Sequence, residues 1–132
     1  MAYWMLKSEP ESYGWADLVR DGGTEWDGVR NAAAAGHLRA MREGDLAFIY
    51  HSGKGKAAVG VARITRAARP DGVEGGWVSV AVEPVEPLPR PVTLAAMKAD
   101  ARLGGMAMIR QSRLSVSPVT DDEWAAIREL AG

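Results

Sequence analysis

The sequence predicts one α+β domain, a curled sheet of about five or six strands closing towards a pseudo-barrel, with short helices packed around it. Three observations carry that reading. Apolar residues alternate at period two in several short runs. Glycines interrupt those runs where a bulge or bend is needed, and capped or alanine-rich helical segments are dispersed between them. A chain of 132 residues, 47% hydrophobic and 25% charged, has the length and composition of a single soluble domain, expected to span residues 1–132.

Tyr3 to Lys7 alternates aromatic and aliphatic residues and reads as the first strand. Ser8-Glu9-Pro10 stops it, because proline cannot donate to a ladder and restrains the residue before it. Ser12 is placed to cap a helix over Trp15 to Arg20, which Gly22-Gly23 closes. Trp26 then falls in a loop. A second helix is expected from Ala32 towards Met41, although Gly36 weakens its middle by about 1 kcal/mol relative to alanine. Leu46 to His51 is a strand, Ser52 to Lys56 a hairpin-like loop, and Ala57 to Thr65 the partner strand, with Gly60 as a bulge or close-approach site.

Trp77 to Val82 is another strand, its valines at period two. Pro84, Pro87, Pro89 and Pro91 then read as a stiff crossover. Thr93 caps a short helix over Leu94 to Ala99, and Met108 to Val116 is expected to be a last strand. Thr120-Asp121-Asp122-Glu123 is a capping box that opens a terminal helix with Trp124, Ile127 and Leu130 along one face.

Most catalytic classes find no support in the residues. Cysteine is absent, which excludes disulfides, zinc thiolates and a cysteine nucleophile. The two histidines, His37 and His51, are far apart with no carboxylate at ligand spacing, so no metal is expected. No phosphate-loop, nucleophile-elbow or dinucleotide fingerprint occurs, and no cofactor is expected. A triad of Ser52, His51 and Asp45 is opposed by strand geometry, since adjacent residues point to opposite faces. A small hydrolase working through His51 stays open only as a minor alternative. The start of the chain is too short and too soon charged for a signal peptide, and no apolar run approaches a membrane span, so the expected location is cytoplasmic, away from membranes.

The formal net charge is −1, which argues against a broad electrostatic footprint for nucleic acid. Charge is nevertheless segregated. From His51 to Pro70 the ionic residues are Lys54, Lys56, Arg63, Arg66 and Arg69, while Asp71, Glu74, Glu83 and Glu86 follow.

A binding pocket is better supported than an active site. Trp26-Asp27-Gly28-Val29-Arg30-Asn31 brings an indole face, a glycine, a guanidinium and a carboxamide together within six residues, the set a flat polar ring needs. The same residues also read as a core tryptophan followed by a solvated helix cap. Tyr50-His51-Ser52 ends a strand at a loop, and Lys7-Ser8-Glu9-Pro10 ends another. In Arg110-Gln111-Ser112-Arg113-Leu114-Ser115, alternation would put Arg110 and Ser112 on the face of Leu114, at the margin of the core.

Taken together and in order, these motifs, with Gly44-Asp45 and the proline-flanked stretch 84–91, resemble the EVE-domain family of the PUA-like superfamily. The resemblance covers essentially the whole chain. It implies a PUA-like pseudo-barrel with a pocket on one side, similar to the YTH readers of methylated adenine in RNA. It also implies binding of modified bases, notably modified cytosines in DNA, in the setting of restriction or RNA modification. By that similarity Trp26, Val29 and Asn31 form the pocket, with Lys7, Ser8, Tyr50, His51, Ser52, Arg110 and Ser112 around it. Arg30, Arg113, Lys54 and Lys56 would hold flanking phosphates.

The chain departs from the family pattern at Ala32-Ala33-Ala34-Ala35-Gly36, where an aromatic and longer polar residues are common. A missing aromatic wall would forgo about 1–3 kcal/mol of stacking per base. The expected function is a non-enzymatic reader of a modified base in DNA or RNA. It would bind weakly unless an effector protein or second domain assists. A binder of a free nucleobase or another small planar ligand is the alternative.

Overall fold

Alternation along one strand divides the molecule. In β1 (Tyr3–Ser8) of the computed structural model, Trp4 and Leu6 enter one apolar core and Met5 enters a second. β3 (Leu46–His51) repeats the division, with Ala47 and Ile49 on the first side and Phe48 and Tyr50 on the other. The sheet therefore lies between two helical layers. The structure describes residues 1–73 and 75–132, so Glu74 of the acidic stretch lies outside the described residues.

The remaining strands are β2 (Thr24–Trp26), β4 (Ala57–Pro70), β5 (Val78–Thr93) and β6 (Val116–Val119), in the order β2-β5-β4-β3-β1-β6. β1 and β3 pair in parallel and all other neighbours are antiparallel. The six-stranded mixed sheet does not close, and β2 and β6 remain as separate edges. α1 (Pro10–Tyr13), α2 (Trp15–Asp21) and α3 (Ala32–Ala40) come early in the chain, and Leu18, Ala34 and Leu38 fill the first core. α4 (Leu94–Ala99), a 3-10 turn at Ala101–Leu103, α5 (Ala107–Arg110) and α6 (Asp121–Ala131) cover the other face. There Trp124 stacks on Phe48 and Tyr3, with ring centroids 3.9 and 4.3 Å apart.

Local chemistry sets the ends of the helices. Asn31 accepts the Ala34 N–H at 2.9 Å, Thr93 that of Ala96 at 3.1 Å, and Thr120 with Glu123 forms the reciprocal box. α2 starts from Gly14, whose N–H donates to Asp17 at 2.8 Å, rather than from Ser12. Gly60 is a close-approach site as well as a register shift. A Cβ there would lie 2.5 Å from the Trp15 ring.

Three expectations are corrected. The prolines do not form a crossover, because β5 runs through all of them to Thr93. β2 pairs only with Val80, Ala81 and Val82, so beyond Val82 the outer edge of β5 needs no ladder donors and proline is tolerated. Met108 to Val116 is not a strand. Met106 and Met108 are both buried through a helical turn, in which the Ile109 and Arg110 N–H groups donate to Met106 O at 3.0 and 3.1 Å. β6 begins only at Val116. Finally, Trp26 ends a short strand instead of sitting in a loop.

Asp45 fixes the start of the sheet. It is 4% exposed and accepts hydrogen bonds from Ala2 N at 3.1 Å, Trp4 Nε1 at 3.0 Å and Arg42 N at 2.9 Å.

Candidate nucleic-acid interface

The parallel pairing of β1 and β3 sets Lys7 beside Tyr50 and Ser8 beside His51, at strand ends that face the same loops. The Ser52 N–H and Oγ both donate to Ser8 O, at 2.9 and 3.2 Å. Three cavities open around this junction. The largest, about 450 Å³, lies between the end of β1 and the segment from Thr24 to Arg30, with Tyr13 and Ser115 completing its wall. A second of about 130 Å³ adjoins Lys7, Tyr50 and Ser52 on the side of α4 and α5. The third, about 330 Å³, lies between Asn31 and the residues from Arg110 to Leu114.

The residues singled out in the sequence thus separate into neighbouring hollows. Lys7, Ser8, Trp26, Val29 and Arg30 line the first. Lys7, Tyr50, Ser52, Lys56 and Ser112 line the second, and Asn31, Arg110, Ser112 and Arg113 the third. His51 and Lys54 contribute to none of these three. Lys7 and Ser112 join the set, because Lys7 Nζ donates to Ser112 O at 3.1 Å. The alternation expected for Arg110, Ser112 and Leu114 fails with the strand that carried it. These cations instead follow α5 onto an exposed turn.

Trp26 is both anchor and wall. The residue is 8% exposed in a core with Trp4, Leu6, Val29 and Leu38, yet it borders the largest of these three cavities. Asn31 spends its side-chain oxygen on capping α3, leaving only its amide N–H groups. In the alanine run, Ala33 lines the third cavity while Ala34 and Ala35 are buried. Ser8 also lines the first cavity, and its Oγ is buried without a hydrogen-bond partner. Native structures rarely leave such a group unpaired.

The cavity's far wall is held by carboxylates that sequence reasoning did not find. Gly28, at a φ of 74°, donates its N–H to Asp71 at 2.9 Å, and Arg30 meets the same oxygen at 2.9 Å. Those contacts, the Gly28 N–H first, lower the pKa of Asp71. Arg30 also lies over Trp77, 5.6 Å from the ring centre, so its guanidinium is committed. Glu25 accepts both guanidinium nitrogens of Arg66, at 2.9 and 2.5 Å, and the Ser79 hydroxyl at 2.6 Å. Arg66 foremost, then Ser79, holds Glu25 down to about 2 against burial, from the ordinary 4.5.

A carboxyl lowered on folding stabilises fully above its unfolded pKa and loses that contribution as pH falls. Wild-type stability should therefore decline between pH 4.5 and 2 more steeply than that of Glu25→Gln. Urea unfolding across that range measures the difference, and parallel profiles would count against the Glu25 network.

His51 has a structural partner. Its Nε2 accepts the Trp15 N–H at 3.0 Å, and burial lowers its pKa from 6.5. The contact ties the start of α2 to the end of β3.

Cations divide into two populations. Among the described residues seven arginines are ion-paired with carboxylates, including Arg66 with Glu25, Arg102 with Asp100 and Arg128 with Glu86. Arg39, Arg42, Arg90, Arg110, Arg113 and the lysines are not, and of these Lys7, Lys56, Lys98, Arg110 and Arg113 border the three cavities. The net charge of −1 conceals this partition.

Comparison with known proteins places the chain in a family. The chain is 32% identical to human thymocyte nuclear protein 1 over 165 aligned positions, covering 98% of this chain and 73% of that protein. A Rhodopseudomonas palustris protein superposes with a TM-score of 0.94 at 48% identity, over 100% of this chain and 94% of that one. The human THYN1 protein, solved in complex with DNA containing 5-methylcytosine, matches with a TM-score of 0.94 at 30% identity, over 99% and 98% of the two chains. The description of the EVE domain matches residues 2–130, and the chain belongs to the EVE-domain family.

Proposed function

We propose that this domain is a non-enzymatic reader of a modified base, 5-methylcytosine in DNA foremost, extruded or unpaired and held in the cavity beside Trp26. The buried, unpartnered Ser8 Oγ at the wall of a cavity of about 450 Å³ carries the reading, because a base edge would supply the missing partner. The relative solved with 5-methylcytosine DNA supports that ligand class. Trp26 and Val29 give the methyl group an apolar wall. Carboxylate-free Lys7, Arg110 and Arg113 take the flanking phosphates. A hydrolytic role is disfavoured by the engagement of His51 Nε2 with Trp15.

Extruding a base costs a few kcal/mol. A domain of net charge −1 offsets this poorly, so tight binding to long DNA calls for an effector protein or second domain. Burying one methyl contributes about 0.8 kcal/mol, a preference of about fourfold for the methylated base. Fluorescence anisotropy on methylated and plain oligonucleotides, in DNA and RNA versions, tests this. Equal affinity for methylated and plain strands at every salt concentration would overturn the reading, and a response to free nucleosides equal to that of oligonucleotides would favour a small-ligand binder.

Ser8→Ala separates site from scaffold. Removing a buried hydroxyl that has no partner should leave stability unchanged or raise it by up to about 1 kcal/mol, while oligonucleotide affinity falls about three- to tenfold. Unfolding and anisotropy on the same variant check both halves.

A further inference from the structure

The smallest of the three cavities has a chemistry of its own. Three of the chain's four lysines, from three separate segments, line it: Lys7 at the end of β1, Lys56 before β4 and Lys98 in the last turn of α4. The hydroxyl-bearing residues Tyr50, Ser52 and Ser112 share the lining with apolar Leu94 and Ile109, and no carboxylate does. Nor is any of the three lysines ion-paired among the described residues.

Lys7 Nζ is steadied by Ser112 O at 3.1 Å and sits 5.7 Å from the centre of the Tyr50 ring. Burial first, and the Lys56 charge second, lower its pKa. Ammonium-bearing side chains that line one small hollow repel one another, and an anion between them turns that repulsion into attraction.

We propose that this cavity is a phosphate-group site, separate from the hollow beside Trp26 and filled by phosphoryl oxygens held by Lys7, Lys56 and Lys98. Its own volume of about 130 Å³ suits a tetrahedral oxyanion, and a wider hollow of about 530 Å³ adjoins it at Lys56, Leu94 and Lys98. Ammonium groups suit such a ligand as mobile point charges with three donors each. A strand's backbone phosphate, which Lys7 could share with the larger cavity it also borders, and a free phosphate present the same chemistry. The site does not depend on which base, if any, the larger cavity accepts. Lys98 was not legible as a site residue, since the helix that presents it is six residues of alanine and leucine type with no motif.

The test is an NMR titration of the full chain with sodium phosphate against sodium chloride at matched ionic strength. Saturable shifts are expected at Ser52, Ile109 and Ser112, with little change at Val29. Lys98→Gln and, separately, Lys56→Gln should each raise the dissociation constant at least about tenfold; both positions are exposed, so the fold is retained. Shifts that never saturate, that chloride reproduces, or that survive both substitutions unchanged would overturn the site. A single-stranded oligonucleotide that displaces phosphate, when its methylphosphonate counterpart does not, would identify a backbone diester. Failure of both to displace it would identify a free phosphate, and the site stands in either case.

Discussion

Asp45→Ala is expected to remove about 3 kcal/mol or more of folding free energy. Hydrogen bonds to a charged acceptor contribute about 1.5–3 kcal/mol each, and a buried donor left unpaired costs about 1–3. Asp45 serves three donors, one of them the buried indole N–H of Trp4. Burial alone would raise its pKa, but the bonds from Arg42, Trp4 and Ala2 outweigh that and keep it below the ordinary 3.8. Alanine leaves the indole N–H inside the core with nothing to meet, next to the parallel β1–β3 pair on which the cavities depend. Asparagine keeps one acceptor but turns an amide N–H₂ towards a donor, so it should recover only part of the loss. Urea unfolding of the three proteins measures this, and a loss below about 1 kcal/mol for alanine would show that the network is incidental.

Reversing the two unpaired arginines that line the third cavity, Arg110→Glu with Arg113→Glu, should lower oligonucleotide affinity about a hundredfold with little change in stability. Each guanidinium–phosphate contact is charge-assisted, and losing two amounts to about 3 kcal/mol. The salt dependence should flatten as well. Each lost phosphate contact reduces the slope of log K against log salt by about 0.7–0.9, so the pair should reduce it by nearly 2. Arg128→Gln is the control, because Arg128 is bound to Glu86 at 2.7 Å and its loss should leave both affinity and slope alone. Equal effects at the paired and unpaired sites would mean that the interface lies elsewhere.

Period and punctuation made most of the fold legible. The valines of β5, the capping box of α6 and the bulge at Gly60 were readable because each is a local signal. β2 was not, since three residues give too little periodicity and its pairing with Val80 to Val82 is long-range. The segment from Met108 misled because Met, Ile and Leu fit either period, and burial of Met106 and Met108 through a turn is a tertiary choice. At the site, the structure distributes the residues over neighbouring hollows. Sequence motifs suggested one ring of side chains, whereas Tyr50 and Ser52 line the second hollow, Asn31 and Arg110 the third, and only Lys7 and Ser112 border two of the three. The roles of Asp71, Glu25 and Lys98 come from distant segments, and nothing near them in the chain announces a partner.

The rim of β5 has one more effect. Pro87, Pro89 and Pro91 share a parity and are exposed, so along this stretch the strand offers a visiting chain carbonyl oxygens but no amide hydrogens at alternate positions. A second molecule cannot continue the ladder there, so self-association by strand addition is blocked on that flank even at high protein concentration.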